Sequence, residues 1–247
     1  LESLSLLDFA ISIAVLAGHA LEIRAATNWQ AHKARGTPTM SDRNDYLITD
    51  LKQLRAHIGD PHPLVPKKVW RTLEPAAVQF ISQSPLLFLA TADTEGNVDV
   101  SPKGDAPGFV AVEDQATLLI PDRKGNKLIF GMQNILANPG VGIIFLEPGT
   151  EETLRVNGRA ELTVDPLLLE RLSARNQPAV LVIRVSVERC FFHCAKAFKR
   201  SLAWQPGTWP PRQALSWGKI LAPKAEGSDE LAREIDRFVE EDYKNNL

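Results

Sequence analysis

From about residue 85 the chain alternates short apolar runs with turn sequences, which predicts strands joined by tight connections. Leu86-Leu87-Phe88-Leu89-Ala90-Thr91 is a compact apolar run closed by Asp93-Thr94-Glu95-Gly96-Asn97, so strand, turn and strand are expected there. Further strands are predicted over residues 109–113 and 117–121, separated by Asp114-Gln115, and over 141–147 and 153–164, separated by Pro148-Gly149-Thr150. The stretch 179–187 alternates mostly β-branched residues and reads as the last strand. Connections this short favour an antiparallel barrel over a parallel sheet.

Helical spacing interrupts this pattern in a few places. Leu128, Met132, Ile135 and Leu136 predict a helix over residues 126–138, stopped by Asn138-Pro139-Gly140. A helix over 166–174 would begin with Pro166, where the missing N–H costs nothing. Before the strands, Leu47, Leu51, Leu54 and Ile58 share one helical face up to Gly59-Asp60-Pro61-His62-Pro63, and a short helix is expected over 74–83. At the far end, 228–243 reads as an amphipathic helix capped by Ser228 or Asp229, with Leu231, Ile235 and Phe238 on one side. A Met-Ser-Asp sequence at Met40 suggests a natural start. Residues 1–39 would then be translated upstream sequence or a fragment edge, a non-native or accessory extension, the competing reading being an amphipathic helix that packs on a partner. The expected organisation is that extension, a helical segment over 40–84, a barrel over 85–205 and a tail with an amphipathic helix over 206–247.

Composition narrows the function classes. The 247 residues carry 28 basic and 30 acidic side chains, a formal net charge of -2, so no global field exists to hold a nucleic acid or an anionic membrane. The apolar run 4–18 contains Asp8 and is too short for a spanning helix. With two cysteines, Cys190 and Cys194, and no zinc-like spacing, neither a disulfide framework nor a metal site is expected. These features point to a cytoplasmic protein whose two cysteines pack as apolar residues. Gly-x-Ser-x-Gly, Walker, Gly-x-Gly-x-x-Gly and His-Glu-x-x-His motifs are all missing from the sequence.

Local chemistry concentrates at Pro121-Asp122-Arg123-Lys124-Gly125-Asn126-Lys127, a strand end, a cationic loop with a glycine, and a helix start. Helix N–H groups, close backbone approach at the glycine and three cations make this an anion site in outline, with a solvated turn as the plain alternative. Lys103 follows a neighbouring strand, and strand alternation puts Arg155, Asn157 and Arg159 on one face. That face can hold an anionic ligand or simply carry surface ion pairs. His193 has no carboxylate near it in sequence to orient it as a base.

Several motifs occur together in order. They are Val98-Asp99-Val100-Ser101-Pro102-Lys103-Gly104-Asp105, Pro107-Gly108-Phe109-Val110, Pro121-Asp122-Arg123 with Gly125-Asn126, Pro148-Gly149 with the run from Glu152 to Ala160, and His193-Cys194 with Lys196-Ala197. In this combination, over residues 45–205, the chain resembles the pyridoxamine 5′-phosphate oxidase-like FMN-binding group. The resemblance implies a mostly β, α+β protein with an antiparallel split barrel that forms a homodimer with FMN at the subunit interface. It also implies hydride transfer at flavin N5 to or from a small-molecule substrate, as in an FMN-dependent oxidoreductase. Carried onto this chain, Asp122, Arg123, Asn126 and Lys127 would line the phosphate and ribityl end, Ser101 and Lys103 would approach the flavin from a neighbouring strand, and Thr153 and Arg155 would face the ring edge or ribityl chain. Arg155, with Lys103 in reserve, is the candidate cation for the reduced flavin. Asn126-Lys127 replaces the Arg-Lys pair of the oxidases proper, and their Arg-x-His substrate motif is missing, which argues against vitamin B6 oxidation. A deazaflavin- or haem-binding split barrel and a non-catalytic flavin module are the alternatives.

Overall fold

The computed structural model describes residues 46–245. The expectations placed on residues 1–39 and on Met40 lie outside the described residues. The chain divides into two units, Leu1–Pro61 and His62–Leu247. In the first, helix α1 (Leu51–Ile58) starts where the Asp50 carboxylate accepts from the Gln53 N–H at 2.8 Å and stops at Gly59, φ 76°. This helix buries none of its side chains.

The second unit is built on one seven-stranded sheet whose pairings are all antiparallel, in the order β2-β1-β5-β6-β7-β4-β3. The strands are β1 (Leu86–Ala92), β2 (Val98–Gly104), β3 (Ala111–Asp114), β4 (Thr117–Asp122), β5 (Gly140–Leu146), β6 (Thr153–Thr163) and β7 (Leu181–His193). The sheet curls without closing, so the protein is the α+β split barrel its sequence pattern predicts. Alternation fixes what faces inward: Leu87, Leu89, Ile143, Phe145, Leu154 and Val156 are each 2% exposed or less and form the barrel core with Leu118, Ile120, Ile183 and Val185. Helix α2 (Pro75–Gln83) closes one side through Ala77, Phe80 and Ile81.

Strand β4 is buried on both faces. Its Leu119 packs outward with Val182 and Ala179 against Leu168, Leu169 and Leu172 of helix α4 (Pro166–Arg171) and its C-cap. That second small core ties the loop after α4 to the end of β4. Farther along, α5 (Lys196–Ser201) follows β7, and helix α6 (Trp217–Leu221) docks on α7 (Asp229–Asn245) with Gly218 against Ala232. The Asp236 carboxylate accepts from the Gly218 N–H at 2.8 Å and the Ser216 hydroxyl at 2.6 Å. These bonds to its ionised form hold the Asp236 pKa below the usual carboxylate value.

Three predicted elements shift. The last strand runs on to His193, because a bulge opposite Asn157 and Gly158 adds Glu188 and breaks the alternation that otherwise continues in Cys190 and Phe192. The helix expected over 126–138 is α3 (Phe130–Ala137). Asn126 instead accepts from the Leu128 N–H at 3.0 Å and Lys127 takes φ 62°, neither of which belongs in a helix. On α7, Ser228 caps as expected, accepting from the Leu231 N–H at 3.4 Å, but Phe238 is 69% exposed, and Leu231, Ile235 and Val239 form the half-buried stripe.

Candidate functional site

The open edges of the sheet are β2 and β3, and past the stretch that pairs with β3 the far end of β4 comes opposite the end of β2 without hydrogen-bonding to its backbone. Odd-numbered residues of β2 point across this seam, since they pair with buried positions of β1: Thr91 with Asp99, Leu89 with Ser101, Leu87 with Lys103. Two ion pairs clasp the seam. Lys103 reaches Asp122 at 2.5 Å, with side-chain exposures of 16% and 18%, and Asp105 holds Arg123 at 3.0 Å. The charges are reciprocal, cation to anion on one rung and anion to cation on the next.

A cleft of about 580 Å³ occupies the seam, inside the usual size range of small-molecule sites, about 300–1,000 Å³. It brings together six of the eight predicted site residues: Ser101, Lys103, Asp122, Arg123, Asn126 and Lys127. Its floor is the start of α3, which has no side-chain cap at Ile129. The N–H groups of Phe130, Gly131 and Met132, all in the cleft lining, are therefore left for an outside acceptor. At Gly131 a Cβ would lie 3.3 Å from the Asp99 carboxylate and 3.9 Å from the Ser101 hydroxyl, so the backbone itself forms the wall. Asn134, one turn on, donates to the Thr91 hydroxyl at 3.1 Å and fixes α3 against β1.

The cations of the cleft are not equivalent. Lys103 is tied to Asp122, while Arg123 is held by Asp105 and donates to the Leu172 carbonyl at 2.7 Å. Lys124 and Lys127 have no ion pair among the described residues. The positive φ of Lys127 sets it in a loop rather than on a helix.

Thr153 and Arg155 do not line this cleft. Arg155 belongs to the outer face of the sheet, in a cross-strand row with Pro102, Phe88, Ile144 and Phe191. Its Nε is buried with no hydrogen-bond partner. Thr153 is buried and pairs with His193. Burial first, then the charges of Arg155 and Lys68, push the His193 pKa below 6.5. Cys190, packed in the core, has its thiol pushed up to about 12 by burial and by Glu74, whereas Cys194 is exposed, contrary to the expectation that both pack. Asp99, Phe109, Gly131 and Met132 also line the cleft and were not among the site residues expected from the sequence. Polar Asp99 and Ser101 alternating with Val98 and Val100 carried the signal for β2, because its apolar side is the exposed one.

Residues 73–194 match the model of the pyridoxamine 5′-phosphate oxidase family. Through this segment, the chain belongs to the pyridoxamine 5′-phosphate oxidase-like family. No curated protein matches the chain. Among solved structures it is similar to HupZ of Group A Streptococcus, with 20% identity over 48% of this chain and 92% of that one and a TM-score of 0.40. It is also similar to a Lactobacillus delbrueckii protein described as a candidate pyridoxamine 5′-phosphate oxidase, with 24% identity over 49% and 95% and a TM-score of 0.40. An FMN-binding protein of Syntrophomonas wolfei is similar at 12% identity over 49% and 86%, with a TM-score of 0.39. Among the described residues no helix is long and apolar enough to cross a membrane.

Proposed function

We propose that the seam cleft of this family member binds FMN and that the protein is an FMN-dependent oxidoreductase acting on a small organic substrate. The observation that carries the reading is the conjunction at one end of the cleft of two unpaired lysines, Lys124 and Lys127, with the uncapped first turn of α3. That end suits a phosphate dianion, and the adjoining space, bounded by Ser101, Phe109 and Met132, suits a flat apolar ring. Bound FMN supplies hydride transfer at its N5 atom.

The residues of the chain then have separable tasks. Lys124, Lys127 and the N–H groups of α3 anchor the phosphate. Ser101 and the Lys103–Asp122 pair set the wall against which the ring lies, and Gly131 admits the ligand to backbone distance. Arg155, on the outer face, is positioned to act on the flavin of a second copy. Val98 and Val100, 78% and 59% exposed beside Phe88, form with it an apolar and cationic surface suited to a homodimer interface.

Flavin fluorescence titration tests the assignment. Lys127→Gln should weaken FMN binding about tenfold, the scale of one charge-assisted hydrogen bond, and leave riboflavin, which lacks the phosphate, unaffected. Equal weakening of both ligands would remove Lys127 from the phosphate site.

A further inference from the structure

A second cleft, of about 420 Å³, adjoins the first and shares Arg123 and Phe109 with it. It is bounded by the loop after β2 and by the residues that end α4. Its charged lining is Asp105, Arg123, Arg171 and Arg175, a net of two positive charges. Asp105, its side chain 6% exposed, accepts from Arg123 Nε at 3.0 Å and from the Ala106 N–H at 2.9 Å, and forms an ion pair with Arg175 Nη1 at 3.3 Å. One buried carboxylate thus orients two guanidinium groups without neutralising both. Arg171 has no ion-pair or hydrogen-bond partner for its side chain among the described residues.

The backbone bears a cost to arrange this. Arg175 and Asn176 are consecutive residues in the left-handed region, φ 49° and 59°. Between them they form a tight turn closed by reciprocal Ala174–Gln177 bonds, each 2.9 Å. Such turns favour Asn-Gly, and an arginine in the first position is disfavoured because its Cβ crowds the following carbonyl oxygen. Strain of this kind persists where the surroundings hold it and a site uses it. Here it folds Arg175 back onto Asp105 beside Arg123.

We propose that this second cleft is a phosphoryl-group site. The excess of two positive charges matches a phosphate monoester, which carries about −1.5 to −2 near neutral pH, better than a single carboxylate. Arginines with free N–H pairs bind such groups bidentately. The proposal does not require FMN in the first cleft. The group arrives either as a monoester on a separate phosphorylated molecule or on a dinucleotide flavin that spans both clefts through Arg123, whose two diester phosphoryl groups carry one negative charge each.

Calorimetric titration of the full chain with inorganic pyrophosphate, with and without saturating FMN, tests it. We expect saturable binding that is weakened at least tenfold by Arg171→Gln and by Arg175→Gln, and less than twofold by Lys127→Gln or by FMN. Because Arg175→Gln can loosen its turn, Arg171→Gln, with no partner to lose, is the decisive variant once its melting temperature matches the parent. Absence of saturable binding, or binding sensitive to Lys127→Gln and FMN but not to Arg171→Gln, overturns the proposal. A tighter affinity for FAD than for FMN that disappears in Arg171→Gln identifies the dinucleotide source, and equal affinities with pyrophosphate still bound to FMN-loaded protein identify a separate ligand. Failure to bind either flavin would sink the flavin reading and leave the pyrophosphate result standing.

Discussion

Replacing Lys103 by Met removes one half of a clasp between two strands that share no backbone hydrogen bonds. The Asp122 carboxylate, 18% exposed, would be left without its cation. Breaking a fully buried pair in this way costs about 3–5 kcal/mol. The residual exposure of both partners lets water take up part of that loss, so about 2 kcal/mol is expected. In a unit of this size each kcal/mol moves the melting temperature by about 2–4 °C, and the variant should melt about 4–8 °C lower than the parent, measured by circular dichroism without added ligand. Adding Asp122→Asn to Lys103→Met removes the stranded charge and should restore most of the loss, giving a coupling of about 2 kcal/mol in the double-mutant cycle. A drop below about 2 °C, or additive losses in the double variant, would show that the pair does not hold the seam.

Three further outcomes follow from the same geometry. At Gly158 a Cβ would sit 2.1 Å from the Ser186 carbonyl oxygen across the β6–β7 bulge, so Gly158→Ala should cost about 3 kcal/mol in urea unfolding; a cost under about 1 kcal/mol would mean the strands part easily there. In the native protein at pH 8, one thiol, that of Cys194, should react with a disulfide reagent, and the second, buried Cys190 with its pKa of about 12, only after denaturation; two fast thiols would contradict the core placement. The depressed pKa of His193 means that its neutral form favours the fold. That contribution is fully present above 6.5 and is lost as pH falls through the lower folded value, so His193→Gln should flatten the decline in melting temperature between about pH 7 and pH 5, and an unchanged decline would refute it.

The sheet was legible in the sequence because each strand carries its own alternation and its own turn: Leu87 and Leu89 face the core as the pattern of 86–91 requires, and Asp93 to Asn97 close the hairpin. The pattern failed where local geometry overrides periodicity. The bulge at Glu188 shifts the phase of β7, so that Val187 and Cys190, three apart, are both buried, and the side chain of Asn126 competes with the helix that the apolar spacing of 128–136 suggests. The cationic loop was visible as a cluster of charge. Which charges are already paired was not, since the partners of Lys103 and Arg123 lie 19 and 18 residues away across the seam. Alternation put Arg155, Asn157 and Arg159 on one face correctly, but only the strand register reveals that this face is opposite to the one carrying Ser101 and Lys103. Asp105 and Arg175 were invisible as a pair for the same reason: their contact depends on a turn with two left-handed residues that the sequence does not announce.

The FMN assignment is tested by the absorbance spectrum of the protein purified without added cofactor, with mass spectrometry of whatever it releases on denaturation. A flavin spectrum with released FMN, or FMN taken up when supplied, is expected. A colourless protein that takes up no flavin would contradict it.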